Sequence, residues 1–467
     1  MKKFLIAILA LIISATTMLG GCFSAYVTDV VQTENGYVII YSDGTQKVVE
    51  DSSGSNTITD IFNATNEQRV EAGLTPLTYD EFLKEYLNYS SDQIEKEVSL
   101  QTAINKSLLS GVSLVVMFDT ADGGTVANGS GVIIDLDKTT GTAYIATNAH
   151  MVYKNSAAGD GYCDDIYCYL YGQDVSGTHW GFDEYGQWVD TEYQMKAEIV
   201  GVAKDYDLAV IKVSNSEVLK KSDAIEAKFS EEEHVFVGET VYAVGNADGE
   251  ALGATCGIIS KDSVNVYVDI EETGNPELYK EIRAIRTDAA INGGNSGGAL
   301  YNSKGEIVGI VNCKNDEADI DNMGYAIPAS LAKRVVKSMI DNYGGVEKHY
   351  VYKALLGVYL TVTSATVSYN EEKGVAEIIE SVSMDSFASM TSKWSAKLKA
   401  GDLITKVIVK DTQGNVVDSA DVTRMHTVSE VLHSVRGGYS VTIEYLRAGV
   451  AGSATATYLT SELTKVS

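Results

Sequence analysis

Proline is nearly absent, with 3 in 467 residues, so proline-rich linkers are excluded as joints between the parts of the chain. Basic residues are also scarce. Lys and Arg number 36 against 64 Asp and Glu, a formal charge of −28. Such a surface repels phosphate backbones and anionic headgroups, which excludes a nucleic-acid role. Solubility accounts for the acidity. Cysteine is limited to 5 residues, and neither a C-x-x-C pair nor an H-E-x-x-H stretch occurs. No metal site and no cofactor are expected. The apolar run at residues 4–14 is too short and too early to span a bilayer. What the chain does have is length and apolar content, 45% hydrophobic, enough for about three domains of ordinary size.

The most informative stretch is residues 287–300, T-D-A-A-I-N-G-G-N-S-G-G-A-L. Four glycines surround Ser296. Glycine reaches backbone conformations that other residues reach only with strain, and it lets a ligand approach the main chain. A serine held there is exposed among amide N–H groups, which is what acyl transfer needs of a nucleophile and an oxyanion hole. Two upstream stretches complete the chemistry. An apolar strand at residues 143–147 breaks and delivers His150, and Asp207 opens the alternating strand D-L-A-V-I-K-V. A serine needs a base, and the base needs an orienting carboxylate.

T-N-A-H, D-L-A-V and G-N-S-G-G-A-L resemble the trypsin-like serine proteases of the HtrA/Deg group. Residues 129–133, 242–246, 257–260 and 324–328 resemble strands of that family's two barrels, and the resemblance covers roughly residues 108–342. It implies a mainly β chain with two six-stranded antiparallel, chymotrypsin-like barrels, one over residues 112–213 and one over 234–327. By motif position, Ser296 is the nucleophile, His150 the general base and Asp207 its orienting acid. The N–H groups of Gly294 and Ser296 form the oxyanion hole. Gly293 stands where the family usually has Pro, which predicts a looser loop and a less preformed hole. Asn295 stands where digestive members carry an Asp, so activation by freeing an N-terminus is not expected. Ala289, Ala290, Ile291 and Asn292 should line the primary pocket, with Asn312 and Cys313 on the strand that pairs with substrate. The floor lacks a carboxylate, and Ile291 favours small apolar residues. The role of Asp288 is not readable. Residues 261–282 read as a charged loop between barrel strands. Residues 155–193 read as a long insertion that either shapes the cleft or is plain surface.

Lys2-Lys3, the apolar run and Leu19-Gly20-Gly21-Cys22 resemble a bacterial lipoprotein signal, with lipid on Cys22 after cleavage. The expected domains are therefore the signal at 1–22, an extension of β-meander, linker and helical spacer at 23–110, the protease at 111–345 and a last domain at 350–462. Cys163 and Cys168 admit a local disulfide, while Cys256 and Cys313 read as small buried hydrophobes. Residues 330–343 have helical spacing, with Ser330 as N-cap.

Residues 355–459 resemble a circularly shifted bacterial PDZ domain, on L-L-G-V-Y, L-K-A-G-D-L-I and the run 428–447. Leu356, Gly357 and Val358 would receive a peptide carboxylate, and His433 and Val435 read as core residues with a weaker claim on the groove. The implied partners are unfolded or C-terminal segments of protein substrates and the bacterial cell membrane on its extracytoplasmic face, with homo-trimers by family resemblance. A non-catalytic chaperone or scaffold on the same fold is the alternative.

Overall fold

The computed structural model describes strand residues within 27–50, isolated positions between 62 and 82, and residues 91–466 apart from 120–123, 158, 174–179, 183–187, 191, 270–278, 315–322, 344–350, 372 and 390–391. The expected signal segment with Cys22, the 51–56 linker and most of the 79–87 helical pattern lie outside the described residues. The chain divides into two compact units, 1–98 and 99–467. In the first, β1 (Val27–Thr33), β2 (Gly36–Tyr41) and β3 (Gln46–Glu50) pair antiparallel in sequence order, the expected meander. Among the described residues no helix is long and apolar enough to cross a membrane.

Helix α1 (Ser91–Leu108) leads into the second unit. Its last turn and the residues after it are fastened by two hydroxyl pairs. Ser107 meets Tyr242, and Ser110 meets Tyr301, each at 2.8 Å. The two tyrosine rings stack at 5.3 Å and are fully buried, so each needs a partner for its hydroxyl.

The first barrel uses β4 (Gly111–Phe118), β5 (Thr125–Asp137), β6 (Thr142–Thr147), β7 (Asp165–Leu170), β10 (Met195–Ala203) and β11 (Leu208–Val213), closed in the order β10-β11-β6-β5-β4-β7. A short separate pair, β8 (Trp180–Phe182) and β9 (Trp188–Asp190), precedes β10. Val112, Leu114, Val116, Ile145, Val210 and Ile211 fill the interior. Part of the expected insertion is thus barrel wall: β7 pairs with both β4 and β10. Cys168 on β7 is buried in that core, and Cys163 and Cys168 are both free. Burial pushes the Cys163 thiol up to about 12, so it is kept protonated.

After the short helix α2 (Glu217–Lys221), the second barrel closes as β12-β13-β14-β17-β16-β15. Its strands are β12 (Thr240–Gly245), β13 (Gly253–Val268), β14 (Lys280–Thr287), β15 (Ala299–Asn302), β16 (Ile307–Lys314) and β17 (Gly324–Pro328). Two expectations are corrected here. The supposed charged loop at 261–282 begins and ends as strand, with β13 and β14 paired out to Val268 and Lys280. The alternation V-N-V-Y-V carries the strand, and the charges around it mask it. Cys256 is exposed rather than buried, because it lies on the outer side of β13.

Helix α3 (Ala329–Asp341) joins the barrels to the last domain. Leu331, Val335, Val336 and Met339 form its buried stripe, as the spacing predicts. Ser330 is not its cap. The helix begins one residue earlier behind Pro328, and the Ser330 hydroxyl accepts from Arg283 at 2.8 Å instead.

The last domain is a six-stranded sheet of β19 (Val358–Asn370), β20 (Val375–Phe387), β21 (Leu403–Lys410), β22 (Val416–Asp421), β23 (Ser440–Arg447) and β24 (Val450–Thr457). It carries helix α4 (Met425–Val431), and β18 (Val351–Ala354) pairs with β25 (Leu463–Val466). Trp394 is buried, and its indole donates to Tyr458, whose hydroxyl donates to the Leu355 carbonyl at 3.0 Å. That chain sets the loop ahead of β19.

Charges fasten this domain to the barrels. Arg334 on α3 makes paired bonds to Glu233 at 2.8 Å and to Asp418 on β22 at 2.7 and 3.1 Å. Its side chain is 3% exposed. Burial alone would raise the Asp418 pKa, but Arg334 and Ser434 hold it low. Arg283 donates to Glu430 at 2.7 Å, and Arg424 pairs with Asp262. Three histidines also lie at this junction. His234 meets Thr423 at 2.8 Å and crosses the His426 ring, while His433 meets Tyr206 at 3.1 Å.

Two outcomes follow from the junction. Replacing Arg334 by Met strands two largely buried carboxylates and should cost about 3–5 kcal/mol in urea unfolding; a loss under about 1 kcal/mol would contradict the network. Burial first, then nearby cations, drives His426 down to about 2 and His433 down to about 3. The unfolded chain protonates them near the ordinary histidine value of about 6.5, and the folded chain does not. Their stabilisation is therefore full above that pH and lost as pH falls toward the folded values, by up to about 1.4 kcal/mol per pH unit each. Urea unfolding between pH 7 and 5 should show this slope, and His433→Gln should flatten it.

Candidate active site

Three strand ends deliver the candidate triad to the crevice between the barrels. β6 stops at Thr147, and a single 3₁₀ turn, Ala149–Met151, follows. Ala149 and Met151 are buried, which leaves His150 between them facing out. A second 3₁₀ turn, Lys204–Tyr206, ends in Asp207 with φ 51° and ψ 43°, a left-handed conformation that Asp tolerates better than most residues. β11 then starts at Leu208.

Asp207 is fully buried and answered by three donors. His150 N–H donates to Oδ1 at 2.9 Å, His150 Nδ1 donates to Oδ2 at 2.7 Å, and Asn312 Nδ2 donates to Oδ2 at 2.5 Å. An ionised carboxylate only accepts, so Nδ1 carries the proton and Nε2 of the neutral ring is the basic nitrogen. Asn148 adds a bond to the Asp207 carbonyl at 2.9 Å.

Ser296 lies between β14 and β15. Its hydroxyl donates to the carbonyl of Asn312 at 2.8 Å. Asn312 therefore touches two triad positions, Asp207 through its side chain and Ser296 through its main chain. Sequence reasoning assigned it only to the substrate strand. No motif marks it, because its partners are distant in the chain.

The oxyanion loop differs from expectation. Gly293 was expected to loosen it, yet the Gly293 carbonyl accepts the Asp248 N–H at 2.7 Å. In a trans peptide N–H and C=O point to opposite sides, so this bond turns the Gly294 N–H away from Asp248. Gly294 has φ +90°, and a Cβ there would lie 2.1 Å from the Asn246 carbonyl. The Asn295 N–H closes a turn on the Asn292 carbonyl at 3.1 Å, and no main-chain carbonyl among the described residues takes the N–H of Gly294 or Ser296.

The expected pocket residues are spread more widely. Ala290 and Asn292 are exposed, and their carbonyls accept from Thr255 and Asn295. Ile291 is 7% exposed, belongs to the second-barrel core and packs where Gly324 leaves room for it. Asp288 accepts the Ile258 N–H at 2.6 Å, which ties its carboxylate to β13. The side chain of Cys313 lies outside the described residues. At the last domain, Leu356 is buried, Gly357 has φ +69° and Val358 opens β19. His433 and Val435 are core residues at 1% and 0% exposure. Cavities of about 280 and 530 Å³ open at the domain junction, and none of His150, Asp207 and Ser296 lines either of them. Among the described residues no group of three His, Cys, Asp or Glu is placed to hold a metal ion.

Residues 129–310 match the trypsin-like peptidase domain. A Do-like serine protease HtrA of Lactococcus lactis subsp. lactis (strain IL1403) is 31% identical over 337 residues, 70% of this chain and 69% of that protein. The Do-like HtrA of Bacillus subtilis (strain 168) is 31% identical over 315 residues, 66% of this chain. The solved HtrA-type protease AlgW with tripeptide aligns at TM-score 0.44 and 22% identity, covering 78% of this chain and 97% of that one. The class is thus a serine protease of trypsin-like fold. Within it, the chain belongs to the HtrA family. It spans 59% of the length of the Bacillus relative.

Asn312→Ala removes a charge-assisted donor from Asp207. Labelling of Ser296 by a fluorophosphonate should slow by roughly 10- to 100-fold, the cost of one buried bond to a charge. An unchanged rate would mean that the amide contributes nothing to the triad.

Proposed function

We propose that this chain is a serine endopeptidase that cleaves misfolded or regulatory proteins at the extracytoplasmic face of a bacterial membrane. The observation that carries the reading is the buried Asp207–His150 pair joined through Asn312 to the Ser296 hydroxyl, beside two N–H groups that no main-chain carbonyl among the described residues takes. A substrate strand laid along β16 would bring a main-chain N–H to the Asn312 carbonyl. That N–H competes with the Ser296 hydroxyl, which is then released toward Nε2 of His150. Ser296 Oγ attacks the scissile carbonyl as Nε2 takes its proton. The Gly294 and Ser296 N–H groups receive the developing oxyanion, and Asp207 stabilises the imidazolium. Nε2 returns the proton to the leaving amine, and a water repeats the sequence to free the acyl group.

Ile291 and the absence of a free carboxylate at the pocket floor favour cleavage after small apolar residues. The last domain acts as a PDZ module. Among the described residues β19 pairs only with β20, so its other edge is open to a peptide strand beside α4, with the carboxylate at residues 356–358. Lipid on Cys22 holds the protein at the membrane, and homo-trimers belong to the proposal on family resemblance alone.

The test is cleavage of casein by the chain starting after Cys22, with Ser296→Ala beside it and cut sites mapped by mass spectrometry. Cuts after Val or Ala that vanish in the variant are expected. If neither form cuts, even with C-terminal peptides added, a non-catalytic chaperone becomes the better reading. Cuts after Lys or Arg would overturn the pocket. Cys22→Ser should move the full-length protein from the membrane to the soluble fraction.

A further inference from the structure

The hydroxyl of Ser130 lies outside the triad, yet it is bonded to the nucleophile loop. Ser130 is on β5 of the first barrel and fully buried. Its hydroxyl donates to the Gly294 carbonyl at 2.7 Å and accepts the Asn246 N–H at 2.7 Å. Its own N–H donates to the Ser296 carbonyl at 2.9 Å. The loop's carbonyls from Gly293 to Ser296 are all held. Asp248 takes Gly293, Ser130 takes Gly294, Gly298 takes Asn295 and Ser130 again takes Ser296. Two of these four anchors come from one residue of the opposite barrel. The Asn246 bond adds a third, because it fixes the turn that carries Asp248.

The glycines of the region make room for this residue. A Cβ at Gly297 would lie 2.2 Å from the Ser130 carbonyl, one at Gly245 3.1 Å from its hydroxyl, and one at Gly298 3.3 Å from its Cβ. The packing is built around a small hydroxyl at position 130.

We propose that Ser130 is a positioning residue for the oxyanion hole. It holds the Gly294–Asn295 and Ser296–Gly297 peptides, the neighbours of the peptides that carry the Gly294 and Ser296 N–H groups, so that those groups face the developing oxyanion before substrate arrives. The inference rests on the endopeptidase reading. It differs from the triad roles because Ser130 touches neither substrate nor a reacting atom. A hole preorganised in this way binds the transition state and leaves ground-state binding alone.

The test compares parent, Ser130→Ala and Ser130→Cys in peptide cleavage, peptidyl-boronate inhibition and thermal melting. Ser130→Ala should lower kcat by about 10- to 100-fold, leave KM within about twofold, and weaken boronate binding by the same factor as kcat. Ser130→Cys keeps the bulk with a weaker donor and should fall between parent and Ala. Should Ser130→Ala not fold, the Cys variant carries the same comparison. An unchanged kcat in an active parent background overturns this inference and leaves the endopeptidase reading intact. So does a loss of kcat that boronate affinity does not follow, which would mark a purely structural role. A parent that cleaves nothing removes the endopeptidase reading, and this inference with it.

Discussion

One buried carboxylate governs the arrangement of the site. Asp207 has no contact with solvent, and a charge taken out of water must be answered by donors within the fold. Three donors answer it, from two segments that are far apart in the chain: the His150 turn after β6 and Asn312 on β16. The first belongs to one barrel and the second to the other. The same bonds that neutralise the carboxylate therefore fix the angle between the barrels at the back of the crevice. They also choose the tautomer of His150. Catalytic geometry and barrel association are set here by a single demand for hydrogen bonds.

The glycine-rich loop poses the opposite problem. Glycines let it take the shape an oxyanion hole requires, but they leave it many other shapes. Proline at position 293 would have restrained it from within. In this chain the restraint comes from outside, through carbonyls held by Asp248 and by Ser130. A Cβ at Gly293 would meet nothing closer than 3.9 Å, so glycine there is not demanded by space. The loop is ordered by its neighbours' donors rather than by its own stiffness.

This division explains what could be read in the sequence. The two barrels were legible through the resemblance their motifs carry, and His150, Asp207 and Ser296 because each sits in a motif with local chemistry. The contributions of Asn312, Ser130 and Asp248 were not. Each acts through bonds to residues brought near only by the fold, and a single polar residue in a strand or turn gives no local signal. β7 was hidden by the polar residues around a short apolar run, and the β13–β14 arm by its charges. The Ser330 cap failed for a related reason: an arginine 47 residues upstream engages the hydroxyl that would otherwise serve the helix end.

The junction with the last domain follows the same logic. Arg334, Glu233 and Asp418 are buried at a contact that apolar side chains of similar size would hold as firmly, since desolvation offsets most of what a buried ion pair gains. Paired guanidinium–carboxylate bonds add direction. They are satisfied in one orientation of the domain and broken by a small rotation. In that orientation Lys353 reaches the Tyr206 hydroxyl at 2.7 Å and His433 meets it from another side. Tyr206 immediately precedes Asp207, and Lys280 holds Asp205 at 2.8 Å. The turn that presents the triad carboxylate is thus clamped by Lys353 and His433 of the last domain and by Lys280 of the barrel arm together. Contact of this kind does not by itself make a relay, which needs two discrete states of the turn. What it does establish is that the domain's orientation and the freedom of the Asp207 turn are one constraint, set by charges placed where stability alone would not require them.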